Sequence, residues 1–248
     1  MNTRVKGFVY LLLSAVYFGF MPLLVKVICA DGSTIVGALF LRFALAIIPL
    51  YIYLKVRKVP MGVSMEDGKK ILCVTVFGYG ITALLLYSAY NYMPSGMATV
   101  IHFGYPVFVL LGSLIFLRRR VPKLKIVCVG LCMIGIFLSY AGSGGEAKPM
   151  GFVFALISGM TYAFYILYLE AGGLQDIPAM KMIFYMNIVG SIMVFLIGKV
   201  SGSFVLHMNA NAWIAAFVLS LGAAFIGVGF FQYGVQYVEP RCGNFKYI

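Results

Sequence analysis

The sequence predicts an all-α polytopic membrane protein made of two inverted five-helix repeats, the second incomplete, so that eight transmembrane helices are visible of an expected ten. Three observations carry this expectation: a composition suited to lipid, eight apolar runs of spanning length, and self-similarity between the two halves of the chain.

The composition comes first. Of 248 residues, 62% are hydrophobic and 10% are charged, with a mean hydropathy of +1.00, whereas a water-soluble chain carries about a quarter charged residues. A net charge of +12 invites a nucleic-acid reading. The 19 Lys and Arg, however, sit in short clusters between apolar blocks and not on a mixed surface with aromatics for stacking, so no nucleic-acid partner is expected. The five cysteines, Cys29, Cys73, Cys128, Cys132 and Cys242, form no CxxC pair and read as small buried hydrophobic residues, with no metal site. The opening MNTRVK precedes a long apolar stretch without a small-x-small cleavage site, which makes the first run an uncleaved anchor.

Crossing a hydrocarbon core of about 30 Å takes about 20 apolar residues in a helix. Runs of that kind cover Gly7 to Ala30, Thr34 to Leu54, Ile71 to Tyr90, Ser95 to Leu117, Lys125 to Tyr140, Met150 to Leu169, Ala179 to Ile197 and Trp213 to Tyr233. The breaks between them are polar or rich in Gly and Pro, among them KVRKVPMGVSMEDGKK, RRRVPK and GSGGEAKP. Basic loops resist translocation, so Lys and Arg mark the cytoplasmic side. With the N-terminus inside, fifteen of them face the cytoplasm, and only Lys148 and Lys199 face outward. The expected location is therefore the cytoplasmic (inner) membrane, N-terminus cytoplasmic, with the lipid bilayer as the chain's first partner.

A shift of 144 residues lays GFVYLLLS (Gly7 to Ser14) on GFVFALIS (Gly151 to Ser158) with five of eight positions identical, and Phe20 on Phe164. Further on, LYSAYNYM (Leu86 to Met93) lies on FQYGVQYV, with Asn91 on Gln236 and Tyr92 on Tyr237. Five helices in one repeat is an odd number, so the second copy starts from the opposite side of the membrane. The expected organisation is a first repeat over 1–150 and a second over 151–248. The second is shorter by two helices, because nothing after Pro240 matches the fourth run.

Several residue patterns, in order, resemble the EamA-type members of the drug/metabolite transporter superfamily. They are Phe18, Gly19 and Lys26 in the first run, Arg42-Phe43 in the second, Gly96 to Ala98 leading to Tyr105-Pro106 in the fourth, and Gly130 with Gly135 in the fifth. The resemblance covers essentially the whole chain. It implies ten helices in two inverted repeats, with helices one, three, four, six, eight and nine around a central cavity. Arg118 occupies the slot at the inner end of helix four where the family usually has Glu, and helices nine and ten have no counterpart.

Ionisable groups in a membrane cost a few kcal/mol each and call for a reason. Lys26 lies four residues from the outer end of its run, close enough for the amine to reach the interface. Arg42 lies eight residues past Thr34, about 12 Å inside, with no Asp or Glu at matching depth. That leaves helix-end carbonyls, water in a cavity or an anionic substrate to meet it, with a structural role as the other reading of the residue. His102 is either a hydrogen-bonded packing residue or the one intramembrane group able to titrate near neutral pH. Polar aromatic faces complete the candidate substrate-binding set: Tyr17, Tyr87, Asn91, Thr99, Tyr105, Tyr162, Tyr165, Gln232 and Gln236. Members three, four or seven apart share a helix face, and the resemblance places the buried ones on the cavity wall. Glu170 reads as a rim charge; Tyr53 and Tyr92 read as interfacial belt residues. Pro22, Pro49 and Pro106 fall inside apolar runs and should bend them.

The expected function is secondary transport of a small organic metabolite or drug by alternating access between the repeats. No GxxxxGK[ST] loop is present, and no cofactor is expected. An intramembrane enzyme is the rival class and would need a paired constellation such as Ser with His, two Asp or a metal cluster. A non-transporting membrane fragment is the third. A homodimer is left open as the oligomeric state.

Overall fold

A computed structural model describes residues 3–117, 123–142, 148–174 and 177–230. Gln232 and Gln236 lie outside the described residues, as do Cys242 and the side chain of Glu170. Eight helical stretches run through the described residues in the order the apolar runs predict. They are α1 (Thr3–Ala30), α2 (Ile35–Val56), α3 (Met65–Ala89), α4 (Ser95–Ile115), α5 (Lys123–Ala141), α6 (Pro149–Ala171), α7 (Ala179–Val200) and α8 (Ala210–Phe230). Seven of these are long and apolar enough to cross a membrane, and α5 contributes a shorter apolar stretch, Ile126–Leu138. No strand occurs among the described residues. This is a polytopic all-α membrane protein, the outcome expected where lipid offers no partner for a backbone N–H or C=O and each segment must pair its own.

Short polar side chains start α2, α3 and α8. Thr34 Oγ1 accepts from the Gly37 N–H at 3.0 Å and opens α2; Asn209 Oδ1 accepts from Asn211 and Ala212 and opens α8; Pro149 sits in the first turn of α6. Ser64 Oγ accepts from the Asp67 N–H at 3.0 Å and donates to Asp67 Oδ2 at 2.7 Å. This reciprocal cap starts α3 at Met65, six residues before the apolar run, so MEDGKK is helix and not loop. Lys70 and Glu66, one turn apart, then pair at 2.7 Å.

Three helices are not regular throughout. α3 contains a π-helical segment, Val74–Gly80, and α8 contains another, Gly222–Gly227. α4 is broken into Ser95–His102 and Tyr105–Ile115, with Phe103 and Gly104 in a turn between them. Pro106 thus ends a helix instead of bending one. It has no N–H to give to the His102 carbonyl and its ring would collide with that carbonyl, so the chain restarts with Tyr105 and Pro106 as its first turn. Pro22 and Pro49 remain inside continuous helices.

The chain forms two compact units, one from Met1–Ile71 and Gln175–Ile248, the other from Leu72–Leu174. Each draws helices from both sides of residue 150. In the first unit α2 packs on α7 and α8 through Ala46, Leu50, Leu54, Ile183, Phe184 and Ala224. Hydroxyls on one helix donate to backbone carbonyls on another, Ser14 to Gly227 at 2.6 Å and Ser220 to Arg42 at 2.9 Å, and the N-cap Thr34 donates to the Ser203 carbonyl in the segment after α7 at 2.5 Å. In the second unit α6 is central, packed against α3 and both halves of α4. Ala89, Met93, Ala98, Ile101 and Ala155 form its core. α1 and α5 expose long apolar rows, including Phe8, Leu12, Phe20, Leu131 and Phe137, as helices facing lipid do.

Candidate functional site

The most polar buried constellation of the second unit lies where α4 breaks against α6. Gly159 makes the approach possible: a Cβ there would stand 3.2 Å from the His102 carbonyl oxygen and 3.6 Å from the Tyr105 nitrogen, so the α4 turn rests directly on the α6 backbone. Next to it, Ser158 is fully buried and His102 is 7% exposed, with His102 Nδ1 and Ser158 Oγ 3.0 Å apart. Ser158 gives its proton to the Ala155 carbonyl at 2.6 Å, so in the His102 contact its oxygen accepts. Nδ1 of His102 faces that oxygen as the donor.

Aromatic rings continue the site from His102. The Tyr162 ring lies 5.3 Å from the imidazole and 4.8 Å from Tyr105 in an edge-on arrangement, and it stacks on Tyr165 at 5.4 Å. Tyr79, in the π-helical segment of α3, follows at 6.0 Å from Tyr165. Gly78 brings that segment in: its Cβ would fall 2.9 Å from Tyr165 Cβ. Below, Thr161 Oγ1 donates to the Ser158 carbonyl at 3.0 Å, Thr82 Oγ1 reaches the same carbonyl at 3.4 Å, and the two hydroxyls lie 2.7 Å apart. The arrangement offers partly exposed tyrosine faces and hydroxyls, one imidazole, and no carboxylate among its described members.

Four of the predicted residues, His102, Tyr105, Tyr162 and Tyr165, are brought together here. Tyr87 is buried in the same unit and stacks on Tyr90 at 5.5 Å. The Tyr90 hydroxyl lies 3.3 Å from Thr99 Oγ1, which itself donates to the Ser95 carbonyl. Asn91 is exposed in the turn after α3. In the first unit, the Tyr17 hydroxyl donates to the Val218 carbonyl at 2.7 Å, a backbone contact that ties α1 to α8 just before its π-helical segment. Arg42 lies over the Phe43 ring at 5.6 Å, and Lys26 is exposed. Cys29 and Cys73 are partly buried, while Cys128 and Cys132 are exposed on α5, contrary to the expectation of buried thiols. The sequence reading missed Ser158, Thr82, Thr161 and Tyr79. In the sequence Ser158 stands out only as the repeat partner of Ser14.

Ser with His is one pairing an intramembrane hydrolase would require, but its polarity here is the reverse of an activated nucleophile. Histidine would have to accept the serine proton, whereas Ser158 sends it to Ala155 and has no exposed surface to offer a substrate.

Residues 5–141 and 149–242 match the profile of the EamA-like transporter family. The chain is 28% identical over 152 residues to the uncharacterized transporter YvbV of Bacillus subtilis (strain 168), covering 61% of this chain and 47% of the relative. It is 32% identical over 92 residues to an uncharacterized transporter of Archaeoglobus fulgidus, covering 36% of this chain and 33% of the relative. These alignments thus span between a third and a half of the relatives' length. A longer one, at 25% identity over 226 residues, covers 88% of this chain and 70% of the uncharacterized transporter YcbK of Bacillus subtilis. A solved crystal structure shares the fold, with a TM-score of 0.65 and 15% identity over 95% of this chain and 80% of that one.

Proposed function

The chain belongs to the EamA-like transporter family, and from that membership we propose that this membrane transporter moves a small organic metabolite or drug across the cytoplasmic membrane by alternating access, with the break in α4 as its binding site. The interruption of α4 between His102 and Tyr105 carries the reading. Secondary transporters place substrate at interrupted helices near mid-membrane, where backbone groups released from the helix can meet a ligand. An ionisable side chain kept within a spanning helix marks the same place, since it is costly there. Tyr105, Tyr162 and Tyr165 supply ring faces and hydroxyls, and His102 supplies an orientable hydrogen-bonding group. Among the described residues every Asp and Glu of a spanning helix lies in its first or last turn, which favours a neutral or anionic solute over a cationic one. The basic bias of fifteen to two favours a cytoplasmic N-terminus.

A thermal-shift screen of the purified chain against amino acids, nucleosides, sugars and quaternary amines tests the proposal. A stabilising solute is expected, and Tyr162→Ala should abolish its effect while retaining the melting temperature of the ligand-free protein within a few degrees. A solute whose stabilisation survives both Tyr162→Ala and His102→Ala would place the site elsewhere.

A further inference from the structure

The end of α2 holds a lysine where the backbone asks for glycine. Val59 N–H donates to the Leu54 carbonyl and Lys58 N–H to the Lys55 carbonyl, both at 3.0 Å, and Val59 packs into the cluster that contains Leu54. This is the six-to-one and five-to-two bonding of a Schellman cap, whose C′ residue adopts the left-handed conformation and is usually Gly. α7 ends in the same bonding, Ser203 N–H to Gly198 and Gly202 N–H to Lys199, with Gly202 at φ +66°. α2 has Lys58 there, at φ +53°, the only non-glycine residue with positive φ among those described. A side chain in that region costs energy, and such a residue persists where something else requires it.

What Lys58 adds is charge. It follows Arg57 directly and stands one turn from Lys55; all three are exposed, and among the described residues none of them pairs with a carboxylate, the nearby Glu66 being taken by Lys70. Lys55 and Arg57 lie over the rings of Tyr51 and Tyr53, at 5.5 and 5.8 Å. On the α2 face that carries Lys55, the side chains of Ile48, Ile52 and Val56 are 69%, 55% and 75% exposed. Spaced four apart, they make a continuous apolar stripe about 12 Å long that runs up to Lys55, and Arg57 and Lys58 follow at the end of the helix.

We infer that the C-terminal end of α2 binds an anionic phospholipid, its headgroup phosphate held by Lys55, Arg57 and Lys58 and an acyl chain laid along Ile48, Ile52 and Val56. The cations alone suit any phosphate. The apolar stripe that leads to Lys55 selects a lipid over a free anion. The inference needs only that the chain sits in a bilayer and is independent of the transport site.

Native mass spectrometry of the purified chain from micelles containing equal phosphatidylglycerol and phosphatidylcholine reads the selectivity directly. The unmodified chain is expected to retain phosphatidylglycerol preferentially. Lys58→Gly should weaken that retention about fivefold, the effect of one basic residue at an anionic surface, and the triple variant Lys55→Gln, Arg57→Gln, Lys58→Gln on the order of a hundredfold. In phosphatidylcholine alone, Lys58→Gly should melt about 2–4 °C higher at a fixed scan rate, because the cap regains its preferred residue. Undiminished phosphatidylglycerol retention in both variants overturns the site. Inorganic phosphate that displaces the lipid at millimolar concentration assigns it to a free anion instead. A Lys58→Gly chain no more stable than the parent removes the argument that the lysine is kept against the backbone's preference.

Discussion

Gly222→Ala should be among the most destabilising single-methyl additions in the chain. Gly222 opens the π-helical segment of α8, and a Cβ built there overlaps the outer end of the Tyr17 ring, well inside the 3.0 Å that real Cβ atoms keep. A tyrosine tip could ordinarily swing aside. This one is held, because its hydroxyl donates to the Val218 carbonyl at 2.7 Å and lies 3.2 Å from that of Leu219. Relief of the clash therefore breaks the hydrogen bond, at about 0.5–1.5 kcal/mol, and adds an overpacking cost of about 1–3 kcal/mol. The expected total is about 2–4 kcal/mol. Reversible unfolding in mixed micelles on titration with sodium dodecyl sulfate measures it. In a Tyr17→Ala background the ring is gone, and the same Gly222→Ala change should cost no more than about 0.5 kcal/mol, since residues coupled only through a contact become independent once it is removed. Equal costs in the two backgrounds, or a neutral Gly222→Ala, would show that the ring does not occupy the space over Gly222.

Other expectations follow from the same contacts. Gly78→Ala places a methyl 2.9 Å from Tyr165 Cβ and 3.2 Å from its Cα, atoms that move only with α6, so a loss of about 1–3 kcal/mol is expected in the same unfolding assay. His102→Gln keeps a donor for Ser158 but cannot gain a second proton; if uptake is proton-coupled, this variant should lose its pH dependence while solute exchange continues. An unchanged pH profile would remove His102 from any proton coupling. A reporter fused after Lys148 should read external and one inserted between Lys55 and Lys70 cytoplasmic, and a cytoplasmic signal after Lys148 would reverse the orientation drawn from the basic residues.

Apolar length was the strong signal: among the described residues all eight runs are helical, most with ends within a few residues of those expected, because spanning length and the demand for internal hydrogen bonds leave a membrane segment little choice. The exception at α3 has a local cause, the Ser64 and Asp67 cap, which the apolar run could not report. Interruptions were harder to read. Pro106 was visible, but whether a proline bends or ends a helix depends on what meets the released His102 carbonyl, and that is Gly159, more than fifty residues away. The π-helical segments left only their glycines in the sequence; Gly78 and Gly222 are 144 residues apart, the spacing of the repeat. In the candidate site the tyrosines and His102 were legible as costly polar groups in apolar runs. Ser158 was not, since a serine in a membrane helix usually bonds its own preceding turn, and only tertiary packing sets His102 beside it. Tyr17 read as a wall residue because nothing local distinguishes a hydroxyl facing a cavity from one facing a carbonyl on another helix.

Uptake into proteoliposomes of a solute selected by the thermal-shift screen, with the parent chain beside Tyr162→Ala, tests most directly whether this protein transports through the break in α4. Saturable uptake by the parent, absent from protein-free liposomes and at least about tenfold slower with Tyr162→Ala, a loss of about 1.4 kcal/mol in transport efficiency, is the expected result. Equal rates for the two chains would contradict it.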